Sequence, residues 1–164
     1  MIRLVAYIVD GIVLLIPNAI LGFIFLASAV TVSVSQSGAR VGVDYGGLLV
    51  VTILELAISA AYFVYTWTRM RASPGDRLFG LMVLNAADGS PLTTNQALVR
   101  WVVLAGPSAL SSLVTAGTGG LGALVGLLVL FWYAYLAWTT ATDPRRQGFH
   151  DKYVGSVVVK ATLL

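Results

Sequence analysis

The chain has no cysteine and only one histidine, His150, among its 164 residues. Without thiols there is no disulfide, no thiolate nucleophile and no cysteine-ligated metal. A lone imidazole also excludes a multi-histidine zinc centre. Charge is scarce: charged residues make up 10% of the chain, against roughly 25% in ordinary soluble domains. No Walker, Rossmann or metalloprotease motif is present, so neither an enzyme nor a cofactor is expected. The chain is instead rich in apolar residues, 58% of the total, with a mean hydropathy of +0.88. A soluble core of this size could not hide so much apolar surface, so the lipid bilayer is the expected environment. The net charge is +3 and the pI about 9.5. The basic residues flank apolar runs and form no stripe, so nucleic acid is not an expected partner.

A span needs about 20 apolar residues. Residues 4–30 and 48–67 each qualify. The apolar stretch 98–140 is too long for one helix, and "GTGG", Gly117 to Gly120, is a turn signal inside it. The reading is therefore four spans: 4–30, 48–67, 98–115 and 121–140. They belong to a single domain, 1–164, with a loop 69–97 and a tail 141–164. A cleavage-like "ASA", Ala27 to Ala29, follows the first run. That run exceeds the signal-peptide core of about 7–15 residues and contains Asp10, so it is expected to stay as a span.

The basic residues orient the bundle. Arg3, Arg69, Arg71, Arg77, Arg100, Arg145, Arg146, Lys152 and Lys160 fall on one side, and Arg40 alone on the other. The positive-inside rule then puts both termini in the cytoplasm. Trp67, Trp101, Tyr135 and Trp138 fall at the same ends, as an interfacial belt would.

Between the spans, Leu78–Asn85 reads as a strand, and "ADGS", Ala87 to Ser90, as a turn. Pro91–Leu92 would return from it. Thr93 followed by Gln96 makes a capping box, so the third helix should start near Thr94. The tail segment Val154–Lys160 is β-branched and should pair with this loop hairpin. The expected fold is an all-α transmembrane bundle of four helices plus a small cytoplasmic β element.

Polar residues inside the spans carry the functional question. Arg3 and Asp10 share a helix face but lie about 10 Å apart along the axis. Tyr7 and Asn18 extend their stripe. Asp10 is either a cation- or proton-binding carboxylate, or a fastener paired with Arg3, Arg100 or Arg145. Glu55 in the second span, with Ser59 and Tyr62 on its face, could continue a staggered path through Asn18 to Asp10. Alternatively it hydrogen-bonds a third-span serine or Tyr7. Gly106-Pro107 either breaks the third span at an ion site or kinks it, with Ser108 and Ser112 allowing close packing. Gly122 and Gly126 form a GxxxG, a helix-packing face within the chain or with another copy. His150-Asp151 has no nucleophile beside it. A structural tie is expected, Asp151 accepting from loop backbone or pairing with Arg77 or Arg146.

Three blocks, in order, carry a resemblance: "RLVAYIVDG" with Arg3 and Asp10, "SPGDRLFGL", and "RRQGFHDKYVGSVVV" with Asp151. Together they resemble the RDD family of bacterial membrane proteins, named for an arginine and two aspartates. Asp76 departs from the pattern, standing where the family commonly has lysine, so any role of that lysine, such as binding anionic headgroups, does not carry over. The resemblance implies a multi-pass protein of the bacterial cytoplasmic membrane with a role in transport, including cation/proton antiport. Two functions are carried forward. One is a small transporter or exchanger of monovalent cations or protons, as a homo-oligomer. The other is a non-catalytic accessory or scaffold subunit of a larger membrane complex.

Overall fold

The computed structural model describes residues 2–35, 38–118 and 122–161. The four apolar runs become four helices long and apolar enough to cross a membrane. Helix α1 is Ile2–Ala29 and α2 is Tyr45–Tyr65, extended by a π-helical turn over Thr66–Met70. Helix α4 is Thr94–Thr118 and α5 is Gly122–Thr142. Two short helices, α3 Pro74–Leu78 and α6 Phe149–Val154, and four strands complete the described residues. The strands are β1 Val30–Ser35, β2 Gly38–Val43, β3 Leu81–Asn85 and β4 Ser156–Lys160.

The break in the long apolar stretch falls where "GTGG" put it, although Gly119 and Gly120 lie outside the described residues. The Thr93 capping box also forms. Gln96 N donates to Thr93 Oγ1 at 3.2 Å, and Thr93 N donates to Gln96 Oε1 at 3.0 Å. Helix α4 runs through Gly106-Pro107 without a break, so the broken-helix alternative is not realised. Ser108 Oγ donates locally to Ala105 O at 2.8 Å.

The main helix contacts run α1 on α2, α2 on α4, and α4 on α5. A Cβ on Gly126 would lie 3.9 Å from Ser111 Oγ. This glycine therefore faces α4 and serves packing within the chain. Away from the helix contacts the spans are strongly exposed: Leu15, Ile16, Phe23, Leu128 and Phe131 all face outward. In water that surface would drive aggregation; in lipid it costs nothing.

The predicted strand pairing forms, with corrections: Leu78 ends α3 and Val154 ends α6, so both strands are shorter than expected and each starts just after a left-handed glycine. β3 and β4 are antiparallel, with Val83 opposite Val158 at the centre. The expected return strand at Pro91–Leu92 does not form. Its place on the second edge of β3 is taken by other backbone groups: Val83 N donates to Arg71 O at 2.6 Å, and Asn85 N to Ser90 O at 2.8 Å. Leu92 instead goes into the core with Ala6, Trp67, Leu81, Val83, Ala97 and Val158. Burial of Trp67 removes it from the expected interfacial belt, whereas Tyr135 and Trp138 are exposed. A second antiparallel pair, β1 with β2, lies between α1 and α2.

The structure also exposes an internal duplication. Residues 71–85 and 146–160 run in parallel at an offset of 75 positions, matching Arg71 with Arg146, Asp76 with Asp151, Gly80 with Gly155 and Val83 with Val158. Each unit opens on an arginine in the left-handed region, φ 58° and 56°. Each then makes a short helix with an aspartate at its third position. A left-handed glycine, φ 64° and 69°, turns each chain into its strand. The bonds flanking the ladder obey the same relation: Ala86 N donates to Gly155 O, and Ala161 N to Gly80 O. A pseudo-two-fold axis thus passes through the Val83–Val158 pair. The duplication extends outward, with α1 packed on α3 and α4 on α6.

Candidate functional site

Two polar regions stand out. The first is a buried knot where both ends of the chain meet the 71–85 unit. Asp10, 1% exposed, sits on α1 against the start of α3. Its Oδ1 accepts from Tyr62 Oη and from Gly75 N, both at 2.8 Å, and its Oδ2 accepts from Ser73 Oγ at 2.5 Å. No arginine pairs with Asp10 among the described residues. The expected partnership with Arg3, Arg100 or Arg145 is therefore corrected: neutral donors hold this carboxylate. The reason is steric and local. "SPG" carries no side chain at Gly75, so its backbone N–H can approach α1 directly. A Cβ there would fall on Ala6 O and come within 2.9 Å of Asp10 Cγ and Oδ1.

The arginines go elsewhere. Asp151 is fully buried. Its Oδ1 accepts from Arg100 Nε at 3.1 Å, Arg100 Nη2 at 2.9 Å and Ser156 Oγ at 3.0 Å. Its Oδ2 accepts from Gly148 N at 3.2 Å and lies 3.4 Å from Arg3 Nη1. Arg100 also stacks over the Trp67 ring, 4.4 Å from its centroid. Arg3 donates to Arg146 O at 2.5 Å and Val158 O at 2.7 Å. Arg77 and the Arg146 side chain, the partners expected for Asp151, do not reach it. Arg77 donates to Met70 O at 3.4 Å, and Arg146 to Ala141 O at 3.2 Å. Arg3, Arg100 and Asp151 thus bind the first span, the third span and the tail at one point.

The charges in this knot are set by their surroundings. Burial alone would raise the Asp151 carboxyl; Arg100, His150 and Arg3 outweigh it and hold the group below the usual carboxylate range. Burial lowers His150 to about 4, against the pull of Asp151. The His150 Nε2 lies 3.5 Å from Asp151 Oδ2, and its buried Nδ1 has no partner among the described residues. Asp76, the residue that departs from the family's lysine, accepts from Ser73 N at 3.2 Å as the third residue of α3. Its burial pushes the carboxyl up.

A pH dependence follows. The unfolded chain takes up a proton at His150 near pH 6.5, while the folded chain resists until about 4. Stability from this group is complete above about 6.5 and is lost as the pH falls from there to about 4. Asp151 adds a further loss at lower pH, because its folded value is depressed. Melting of the detergent-solubilised protein should therefore decline from pH 6.5 to 4, and His150→Leu should flatten that slope. An unchanged slope in the variant would remove His150 as its cause.

The second region is a cleft of about 360 Å³ between α2 and α4, lined by Leu48, Thr52, Glu55, Ser111, Ser112, Thr115 and Ala116. Glu55 makes no hydrogen bond or ion pair among the described residues. Its sequence neighbours are engaged elsewhere. Tyr62 bonds Asp10, and Ser59 Oγ accepts from Trp101 Nε1 at 3.1 Å. Asn18 Oδ1 is buried and unpartnered among the described residues. No hydrogen bond joins Asn18 to Asp10 or Glu55, so the staggered path through these three is not assembled here. The sequence reading offers an unspecified third-span serine as a partner for Glu55; the cleft brings Ser111, Ser112 and Thr115 to line it with Glu55, although no hydrogen bond joins Glu55 to them among the described residues. The signal was the set Ser111, Ser112 and Thr115, at helical spacing, lining the cleft with Glu55; Ser108 instead accepts from Tyr133 Oη of α5 at 3.1 Å.

Four apolar spans, a small sheet and a buried arginine–aspartate knot define a small multi-pass membrane protein. Its family is now plain. The RDD family pattern matches residues 1–155, and the chain belongs to the RDD family. No curated protein and no solved structure matches the chain.

Proposed function

We propose that this protein is a small cation/proton exchanger of the bacterial cytoplasmic membrane, with Glu55 as the carrier group. The observation that carries this reading is the cleft on α2 and α4. It places one carboxylate without a fixed countercharge opposite several hydroxyls, inside two membrane spans. A carboxylate at such depth must be neutralised, by a proton or by a cation. Carboxylate and hydroxyl oxygens suit a hard monovalent cation, so the two can compete for one group. Arg3, Asp10 and Asp151 are consumed in fastening the fold and take no part in binding. The excess of basic residues on the side of the knot supports cytoplasmic termini. A pathway this short favours an oligomer.

The accessory reading has one observation of its own. Ser112 and Thr115 of the cleft lining are exposed and Glu55 is half-buried, so a partner helix could reach Glu55 with a donor.

Purified protein in vesicles should release protons against an imposed sodium or potassium gradient, read with an entrapped pH dye. Glu55→Gln should reduce the signal to that of empty vesicles while keeping the native melting temperature. Asp10→Asn should lower the melting temperature instead. Absence of cation-driven flux in the native protein, with constant co-purification of a partner, would replace exchange by the accessory role.

A further inference from the structure

A groove outside the knot and the cleft has a chemistry of its own. It runs between α1 and α3 and is lined by Val9, Val13, Met70, Pro74, Arg77 and Leu78, with a volume of about 450 Å³. Its floor is almost wholly apolar. Its rim carries one cation and no carboxylate. We propose that this groove binds one anionic phospholipid, an acyl chain lying on Val9, Val13 and Leu78 and the phosphate meeting Arg77.

Position supports the assignment. Val9 and Val13 lie on the face of α1 next to outward-facing Ile8, Ile12 and Ile16, so the groove opens where lipid tails would lie. Met70 is the last residue of the second span, and α3 begins four residues later. The groove therefore crosses from hydrocarbon to headgroup depth. Leu78 is 70% exposed at that level. A leucine so placed is unfavourable in water but well placed beside an acyl chain.

Charge complementarity points to an anionic headgroup. Arg77 is exposed and donates only one long bond, 3.4 Å to Met70 O. Most of its guanidinium is free to meet phosphate oxygens, the geometry this group favours. Arg69 and Arg71 are exposed close by in sequence. Asp76, the adjacent acid, is turned inward onto Ser73 N and does not oppose them.

The test is native mass spectrometry of the full chain in detergent, with phosphatidylglycerol and phosphatidylcholine of equal chain length. Phosphatidylglycerol should be retained preferentially as a single adduct. Arg77→Gln should weaken its retention about fivefold, the effect of one basic residue near an anionic surface. Arg145→Gln, an equal loss of charge away from the groove, should leave it unchanged. Val13→Phe, which fills the groove from α1 without touching charge, should weaken retention as well and covers the case in which Arg77→Gln fails to fold. Equal retention of the two lipids would overturn the proposal, as would equal effects of Arg77→Gln and Arg145→Gln. Displacement by millimolar inorganic phosphate, independent of chain length, would reassign the site to soluble phosphate.

Discussion

Asp151→Asn is expected to destabilise the protein by about 3–5 kcal/mol, the cost of leaving a buried ion pair with one partner missing. Arg100 would remain 1% exposed and charged, with an amide in place of its carboxylate. The amide nitrogen would face donors it cannot satisfy, and Ser156 Oγ and Gly148 N would compete for the remaining oxygen. Arg3 would lose the same anchor, though it is less buried and sits farther away, 3.4 Å against 2.9 Å for Arg100. Arg3→Gln should therefore cost less than Arg100→Gln. The check is a thermal melt of detergent-solubilised variants followed by size exclusion. The double change Arg100→Gln with Asp151→Asn should cost clearly less than the two single costs together, as contacting residues in one network do. Strict additivity would mean that the pair does not hold the tail to α4.

Gly75→Ala should be the most damaging conservative change in the loop, at about 1–3 kcal/mol for forced overpacking. The new methyl would fall on a backbone oxygen, Ala6 O, and within 2.9 Å of the Asp10 carboxylate. Neither can move aside like the tip of a long side chain. Helix α3 must lift from α1, which breaks the bonds from Ser73 Oγ and Gly75 N to Asp10. Gly11→Ala is the control. It lies beside Asp10 on the same helix and has open space around it, so its melting temperature should match the native protein's. Equal melting of Gly75→Ala and the native chain would show that α3 does not need its close seat on α1.

Some of this was readable in the residues. Run lengths located the spans, and glycine placed the break between α4 and α5. Thr93 and Gln96 announced the start of α4, and the β-branched tail announced β4. The family blocks singled out Arg3, Asp10 and Asp151 as a set. Their wiring was not readable. Seven-residue spacing puts Arg3 and Asp10 on one face, which invites a pairing, yet their axial separation assigns them to different neighbours. Asp10 meets α3, and Arg3 meets the tail. Only the doubling back of "SPG" onto α1 decides this, and helical periodicity does not report a loop's return path. Trp67 fits an interfacial belt by type and position, yet the apolar cluster around it and Arg100 packed on its ring make it a core residue. The alternation in "VTVSVS" and "GARVGV" was a true strand signal, overlooked because the first strand continues the apolar run of α1. The duplication was also present in the letters, as R-x4-D-x3-G-x2-V twice, but too sparse to notice before the paired backbone angles appeared.

The order of the knot along the chain bears on how it is made. Arg3 is in the first span and Arg100 in the third, while Asp151 follows the last. During synthesis both arginines enter before their shared acid exists. Until the final segment arrives, each must stay in contact with water or headgroups at the membrane edge. A ribosome that stops short of Asp151 releases a chain whose spans are all present but whose two cations lack their shared counter-ion. In such a product nothing charged ties the first and third spans to a tail, so the closing of the knot marks the end of assembly.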